Sequence, residues 1–261
     1  LSAEQLGRVM DALARSIDLS RCTEYTVEAG RPDTITAEKL AVLREKGADR
    51  VSVNPQTMSD AVLAAMGRAH TAGDILRACE LVRASGIPVV NMDLIAGLPA
   101  DSYEGFRASL DQVLDLRPEN ITVHTLALKK GSRLMEHGAP LPAGEEVAAM
   151  LDYAWTALEG AGQVPYYLYR QKYMSGSFEN VGWCLPGTGS LYNICMMEEL
   201  HTIFSVGGGG VTKLVNPATG YIERISNPKY PKEYLERIDK VIADKRRALD
   251  FYRAMTEQVE N

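Results

Sequence analysis

The stretch VVNMDLIAGLP (residues 89–99) runs from an apolar β-like segment into an acid, Asp93, and ends at glycine and proline. An acid at the end of such a strand is costly to bury unless a ligand or partner group binds it. Other β-like runs carry polar groups at or near their carboxyl ends, namely Glu28, Asn54, Gln56 and His124. A β/α barrel builds its site from such strand ends, so the sequence predicts a barrel with Asp93 as a candidate ligand residue.

Hydrophobic periods of 3.6 and 2 alternate from the N-terminus to residue 169. The helical stretches are 3–16, 36–46, 59–66, 73–85, 102–116 and 144–160, and the β-like runs are 23–28, 50–54, 89–93, 119–127 and 164–169. This βα alternation predicts a five-stranded parallel sheet with right-handed crossovers.

The chain changes character after Tyr169. We expect residues 170–197 to form a long ordered loop or small subdomain over the barrel mouth, because loops of this length are usually functional or disordered. A β-like run at 201–206 precedes four glycines, 207–210, which either approach a ligand closely or form a plain turn. A long amphipathic helix is predicted over 230–260. The expected division is therefore a partial barrel over 1–169 and a barrel-capping, helical region over 170–261.

Composition excludes several classes of function. A chain of 261 residues with 46% hydrophobic residues can bury the core of one barrel-sized domain. Its formal net charge of -6 gives no basic field for nucleic acid, and no apolar run reaches the length that spans a bilayer. We therefore expect a cytoplasmic protein with neither nucleic acid nor a membrane as partner.

The cysteines do not form a metal motif. Cys22, Cys79, Cys184 and Cys195 have no C-x-x-C spacing, so they cannot assemble a zinc or iron–sulfur site locally. We interpret them as ordinary thiols of a cytosolic protein, and we assign neither a metal ligand nor a catalytic residue.

Several short motifs follow one another in order along the chain. They are YTVEA (25–29), RVSVNPQ (50–56), MGRAH (66–70) and NMDLIAGLP (91–99), followed by YLYRQK (167–172) and ENVG (179–182). In order and spacing, over nearly the whole chain, they resemble the oxygen-independent coproporphyrinogen III oxidase family of radical SAM enzymes. The last two motifs look most like its coproporphyrinogen dehydrogenase-like branch.

This resemblance implies an α/β fold, a partial radical SAM (β/α)6 TIM-like barrel with a C-terminal extension. It also implies an S-adenosylmethionine site, in which glutamine and aspartate hold ribose hydroxyls and arginine offers a fork for a carboxylate. The cofactor-binding positions implied by the family are Glu28, Gln56, Arg68, Asp93, Ala127 and, for a second cofactor molecule, Val211. Ala127 would leave room along the cofactor, and Val211 would provide an apolar contact.

The activity that the resemblance implies is oxidative decarboxylation of porphyrinogen propionates to vinyl groups through a 5′-deoxyadenosyl radical. Such enzymes need a [4Fe–4S] cluster and an electron donor. The family's C-x-x-x-C-x-x-C loop and its Gly-Gly-Thr-Pro element are missing here, and the chain begins at Leu1, directly before a capping-box pattern. We therefore expect a fragment that lacks the N-terminal cluster-binding part and is catalytically inactive.

Other interpretations of the same residues stay open from sequence alone. Arg68 also fits an ion pair with a nearby acid, Gln56 a cap of the helix near Ser59, and His70 a helix-end cap. His124 fits a satisfied barrel histidine. The tyrosines of the 164–169 run fit either plain packing or a porphyrin-sized substrate.

Two other functions also remain open. A haem-trafficking chaperone has the same fold and most of these motifs, so the protein is also compatible with haem binding. An unrelated β/α barrel would instead bind a nucleotide-like or phosphorylated ligand through glycines 207–210 and helix N-termini.

Overall fold

The structure is a computed structural model that describes residues 1–127, 141–170 and 178–257. Two compact units divide the chain, Leu1–Ser190 and Leu191–Asn261. The sequence placed a boundary after Tyr169, whereas this division falls after Ser190. The reason is a strand at Asn180–Cys184 that pairs into the sheet of the first unit.

The first unit alternates helices and strands. Its described helices are α1 (Ala3–Ser16), α2 (Ala37–Glu45), α3 (Asp60–Ala65), α4 (Ala72–Ser85), α5 (Tyr103–Asp115) and α6 (Gly144–Gly160). Its described strands are β1 (Thr26–Gly30), β2 (Arg50–Val53), β3 (Val89–Ala96), β4 (Asn120–Thr125), β5 (Val164–Tyr169) and β6 (Asn180–Cys184). The helices match the stretches expected from sequence to within one residue at each end.

Local chemistry explains why these helix boundaries are readable from sequence. Ser2 accepts a hydrogen bond from the Gln5 N–H while the Gln5 side chain accepts from the Ser2 N–H, a capping box at the start of α1. Thr71 and Asp74 form the same arrangement at the start of α4. That helix ends at Gly86, whose φ of 73° is left-handed, the usual stop of a helix.

The strand order of the first unit's sheet is β1-β2-β3-β4-β6-β5. The strands β1 to β4 are parallel neighbours, as expected, but β6 runs antiparallel to both β4 and β5 and separates them. The prediction of an all-parallel sheet is therefore wrong at this edge. The expectation of one loop over the whole of 170–197 is also wrong, because β6 lies within that range. Residues 171–177 lie outside the described range. Gly182 lies in the middle of β6 and makes this strand harder to recognise from sequence, because glycine is uncommon inside strands. A Cβ there would overlap the ring of Tyr167 on β5, so glycine is needed for this pairing.

Helices cover one face of the sheet. Strand residues that point to that face are at most 2% exposed, and they are Val51, Val53, Val90, Met92, Leu94, Ala96, Ile121 and Val123. They pack in one core with helix residues such as Leu40, Ile75, Phe106, Leu110 and Met150. Because side chains alternate along a strand, the residues between these point to the opposite face.

The second unit contains α7 (Leu191–Met197), a hairpin of antiparallel strands β7 (Val211–Asn216) and β8 (Tyr221–Ser226), α8 (Pro231–Glu236) and α9 (Ile238–Glu257). Its small core comprises Leu214, Ile225 and Ala248, with Phe251 against it. The expected single helix over 230–260 is two helices, and residues 258–260 lie outside the described range. The expected strand at 201–206 is only an isolated bridge from Ile203 to Lys213.

In the described part of the chain, none of the helices is apolar over a length that would cross a membrane.

Candidate functional site

The sheet face opposite the helices is polar. Glu28 pairs in register with Ser52, Ser52 with Asn91, and Asn91 with Asn120. Side chains at paired positions of neighbouring parallel strands share a face, and so do residues two apart on one strand. The polar face therefore also carries Asp93, Thr122 and His124. It leads toward the carboxyl ends of β1 to β4, where β/α folds build their sites.

Glu28 stands on β1, an edge of this sheet. Its Oε1 accepts a hydrogen bond of 2.8 Å from the Ser52 hydroxyl. Although solvent reaches part of the residue, burial of the carboxylate raises the pKa of Glu28. The hydrogen bond from Ser52 lowers that pKa in part, and the negative charge of Asp93 raises it further. Two carboxylates thus share one recess.

Asp93 has a polar neighbour at each carboxylate oxygen, one hydrogen-bonded and one at longer range. The Asn91 amide donates to Oδ1 at 2.9 Å, and His124 Nε2 lies 3.6 Å from Oδ2. His124 Nδ1 lies in turn 3.2 Å from the hydroxyl of Tyr169 on β5. The side chain of Asp93 is 18% exposed, so a ligand can still reach it.

Gln56 has an unusual backbone. Its φ is 68°, in the left-handed region that side-chain-bearing residues seldom adopt. Its N–H donates to the Asp93 carbonyl at 2.9 Å, and its carbonyl accepts from the Ile95 N–H at 2.9 Å. The chain thus continues to bond to β3 beyond the end of β2. Such conformations concentrate at functional sites, where the surrounding structure holds them.

Hydrogen bonds from α5 hold the residues that follow Gln56. The Ser109 hydroxyl lies 3.1 Å from the Thr57 hydroxyl and accepts from the Met58 N–H at 3.0 Å. The cap of α3 is Ser59, whose side chain accepts from the Val62 N–H. The interpretation of Gln56 as that cap is therefore wrong.

The remaining expected site residues are less closely joined. Ala127 is half-buried and follows Leu126, whose N–H donates to the Ala96 carbonyl at 3.0 Å, so it lies at the same end of the strands. Arg68 follows α3 and is half-buried. Within the described ranges its side chain has neither an ion pair nor a hydrogen bond, so the expected pairing with an acid is not seen there. Val211 begins β7 in the second unit and is 42% exposed.

The structure thus places Glu28 and Asp93 in one recess, ties the backbone of Gln56 to β3 beside Asp93, and adds polar partners that sequence reasoning did not assign. Ser52 and Asn91 are the direct partners of the two acids. A signal for them existed in the alternation of polar and apolar residues in RVSVN (50–54) and NMD (91–93).

The described residues do not fit a metal centre. Nowhere in 1–127, 141–170 or 178–257 do three or more His, Cys, Asp or Glu residues come together in a way that would hold an ion. All four cysteines are free thiols, with Cys22 exposed and the other three buried.

The glycine run at 207–210 is a packed turn. Gly209 donates its N–H to the Pro228 carbonyl, Gly210 to the Gly207 carbonyl, and Gly207 to the Tyr234 hydroxyl. The Asn227 amide also donates to the Gly207 carbonyl at 2.8 Å. Because most of these N–H groups bond within the unit, the run does not form the phosphate cradle considered as an alternative.

Comparison with known proteins defines the class. The Radical SAM superfamily matches residues 10–113. Residues 10–113 therefore carry a radical SAM domain, and the mostly parallel sheet of the first unit is consistent with part of the TIM-like barrel of that fold. The alternative of an unrelated β/α barrel is therefore wrong.

Two curated proteins are similar to this chain over most of its length. The chain is 43% identical over 253 residues to the oxygen-independent coproporphyrinogen-III oxidase-like protein HemZ of Bacillus subtilis, covering 96% of this chain and 50% of the relative. It is 31% identical to the heme chaperone HemW of the same organism, covering 88% of this chain and 60% of the relative. The chain thus spans about half the length of the curated relatives it matches.

A solved structure supports the fold. The radical SAM enzyme coproporphyrinogen III oxidase (HemN) of Escherichia coli superposes with a TM-score of 0.71 at 19% identity. The match covers 92% of this chain and 54% of that one. At this identity the likeness shows the fold alone.

Proposed function

We propose that this chain forms the S-adenosylmethionine-binding part of a radical SAM protein that acts on a porphyrinogen. The observation that carries the proposal is the polar recess that holds Glu28 and Asp93, beside which the backbone of Gln56 bonds to β3. Carboxylates are the natural acceptors for the paired hydroxyls of a ribose, and an amide side chain both donates and accepts.

An unpartnered group beside the recess also fits such a ligand. The Oδ1 atom of Asn54 is buried and accepts no hydrogen bond from a described residue, and the Asn54 side chain lowers the pKa of Glu28 in part. A buried acceptor without a donor is costly, and a ligand hydroxyl or amine would satisfy it. Arg68 would take the carboxylate of the methionine part, and Ala127 would leave space along the cofactor.

The chain's own residues would bind and orient this cofactor, which on receiving one electron from an iron–sulfur cluster would supply a radical that removes hydrogen from the substrate. The iron–sulfur cluster that the superfamily implies does not fit the residues present, since the four free cysteines do not come together. We therefore propose that the chain by itself binds S-adenosylmethionine without turning over substrate.

For the whole protein we propose oxidative decarboxylation of porphyrinogen propionates to vinyl groups. The relative named coproporphyrinogen-III oxidase-like, at 43% identity, supports this substrate class. Tyr167 and Tyr169 also support it, because their rings stack with an interplanar angle of 8° and centroids 6.2 Å apart. Their hydroxyls reach Thr122 and His124 on the polar face. Flat rings with polar tips suit a macrocycle that carries carboxylates.

Haem binding is the second candidate, because a relative at 31% identity is named a heme chaperone. A haem titration followed by absorbance, beside an assay for vinyl product in the full-length protein, separates the two. Tight haem binding without vinyl formation would favour the chaperone.

Calorimetry with S-adenosylmethionine tests the cofactor site. We expect Asp93→Ala to weaken binding by about 1–3 kcal/mol, or about 5- to 150-fold. The matched control is Asp152→Ala, which removes an exposed acid from α6 and should leave binding unchanged. Equal affinities of Asp93→Ala and wild type would contradict the proposal, and so would an absence of binding by the wild-type chain.

A further inference from the structure

His124 lies between a site acid and a tyrosine of another strand. Its Nε2 is 3.6 Å from Asp93 Oδ2, and its Nδ1 is 3.2 Å from the Tyr169 hydroxyl. The His124 side chain is 25% exposed. Three strands, β3, β4 and β5, thus contribute one group each to a single chain of contacts across the polar face.

The chemistry of the partners determines the tautomer of His124. An ionised carboxylate only accepts hydrogen bonds, so the nitrogen that faces Asp93 is favoured to carry the hydrogen. A neutral imidazole then has its lone pair on Nδ1, and the Tyr169 O–H donates to it. The hydrogens therefore point one way, from Tyr169 to His124 and from His124 toward Asp93.

The distance between Nε2 and Oδ2 makes this an electrostatic contact rather than a full hydrogen bond. Contacts of this length at functional sites commonly tighten when a ligand binds. Asn91 already fixes the other oxygen of Asp93 at 2.9 Å. The Asn91 hydrogen bond therefore fixes one oxygen, and a closer approach of His124 would fix the other and set the carboxylate plane.

We propose that His124 is a positioning residue for Asp93 and that the O–H of Tyr169, by donating to Nδ1, helps to hold the tautomer in which it does so. The hydroxyl of Tyr169 thereby couples β5, the strand that carries the stacked tyrosines, to the acid that receives the ribose. This inference rests on the proposed cofactor site and adds to it two residues that orient the acid without touching the cofactor. A histidine that only fills the barrel would need neither a particular tautomer nor the tyrosine hydroxyl.

Nitrogen-15 NMR of the unliganded chain tests the hydrogen-bond direction. The chain has four histidines, so the His124 ring signals are assignable by comparison with His124→Gln. Recorded at a pH where the imidazole is neutral, the spectrum should show the Nε2–H tautomer. Tyr169→Phe loses one of the two contacts that favour this tautomer, so a larger share of the Nδ1–H form should appear.

Tyr153→Phe is the matched control, because it removes a hydroxyl that bonds to Asp111 on the helix-covered side and should leave the His124 tautomer unchanged. An Nδ1–H tautomer in the wild type, or an unaltered tautomer in Tyr169→Phe, would overturn the inference.

Cofactor affinity gives the second readout. We expect His124→Ala to weaken S-adenosylmethionine binding about tenfold, and His124→Gln to recover part of the loss because its amide can donate to Asp93. Tyr169→Phe should weaken binding less than His124→Ala. Equal affinity of the alanine variant and the wild type, or equal loss in the alanine and glutamine variants, would refute the positioning role.

The two proposals fail in different ways. If the wild-type chain does not bind S-adenosylmethionine, the cofactor site itself is wrong. If it binds and the His124 and Tyr169 variants bind equally well, only the positioning role is wrong.

Discussion

Replacing Gln56 separates the cost of its backbone conformation from the contribution of its side chain. Its φ of 68° lies in the left-handed region, which costs an L-residue about 1–2 kcal/mol and glycine almost nothing. Glycine in turn loses more chain entropy on folding than alanine, about 0.5–1 kcal/mol. We therefore expect Gln56→Gly to be more stable than Gln56→Ala by about 0.5–1 kcal/mol.

Urea unfolding followed by tryptophan fluorescence measures this difference. The chain has two tryptophans, Trp155 and Trp183, and both lie in the first unit with Gln56. The matched control is Glu80, an exposed residue inside α4. There the helical backbone should make Glu80→Gly less stable than Glu80→Ala by about 1 kcal/mol.

We thus expect the glycine variant to be the more stable of the two at position 56, and the alanine variant to be the more stable of the two at position 80. Both Gln56 variants should also lose cofactor affinity to the same extent, because each lacks the amide. If Gln56→Ala is as stable as Gln56→Gly or more stable, the backbone at Gln56 is not strained and the argument is refuted.

Three further perturbations test other parts of the structure. Burial raises the pKa of Glu28 in the folded protein. The contribution of Glu28 to stability is therefore largest below the ordinary glutamate pKa, and it is lost as the pH rises through the raised pKa. Glu28→Gln should therefore gain stability relative to wild type as pH rises to neutrality while binding less S-adenosylmethionine; a difference independent of pH in urea unfolding would contradict this. Ser109→Ala should cost about 1–3 kcal/mol in the same assay, because it leaves the buried Met58 N–H without its acceptor; a cost near zero would show that another acceptor replaces it. Cys22 should react first with a thiol reagent in the native protein, since it is exposed whereas burial raises the pKa of Cys79 to about 11; a Cys22→Ser variant that reacts as fast as wild type would disprove this.

Local patterns in the sequence were enough for the helices of the first unit and for its first four strands. Capping boxes, the glycine stop of α4 and the apolar periods involve residues close in the chain, so they are readable without knowing the fold. The same reasoning selected Asp93, but the expectation that Asp93 ends its strand is wrong, because β3 continues to Ala96 in register with β4. Polar and apolar residues alternate along β2, and this pattern already indicated that Ser52 faces the same side of the sheet as the polar residues of its neighbours. The structure pairs Ser52 with Glu28 on that side.

The contacts that build the site depend on long-range pairing. The strand β6 enters between β4 and β5, and this insertion puts Tyr167 against Gly182. The hydrogen bond between Tyr169 and His124 joins residues 45 apart in sequence. No local period encodes such a contact, because it depends on which strands become neighbours.

By itself, the sequence determined the order of the first six helices and of β1 to β5, the polar residues on the strands and the resemblance to radical SAM enzymes. Only the tertiary structure decided the left-handed backbone of Gln56, the antiparallel strand in the sheet and the partners on each oxygen of Asp93. Periodicity and capping arise within a few residues of chain, whereas strand insertion, backbone strain and the orientation of an acid are set by groups that meet only when the chain has folded.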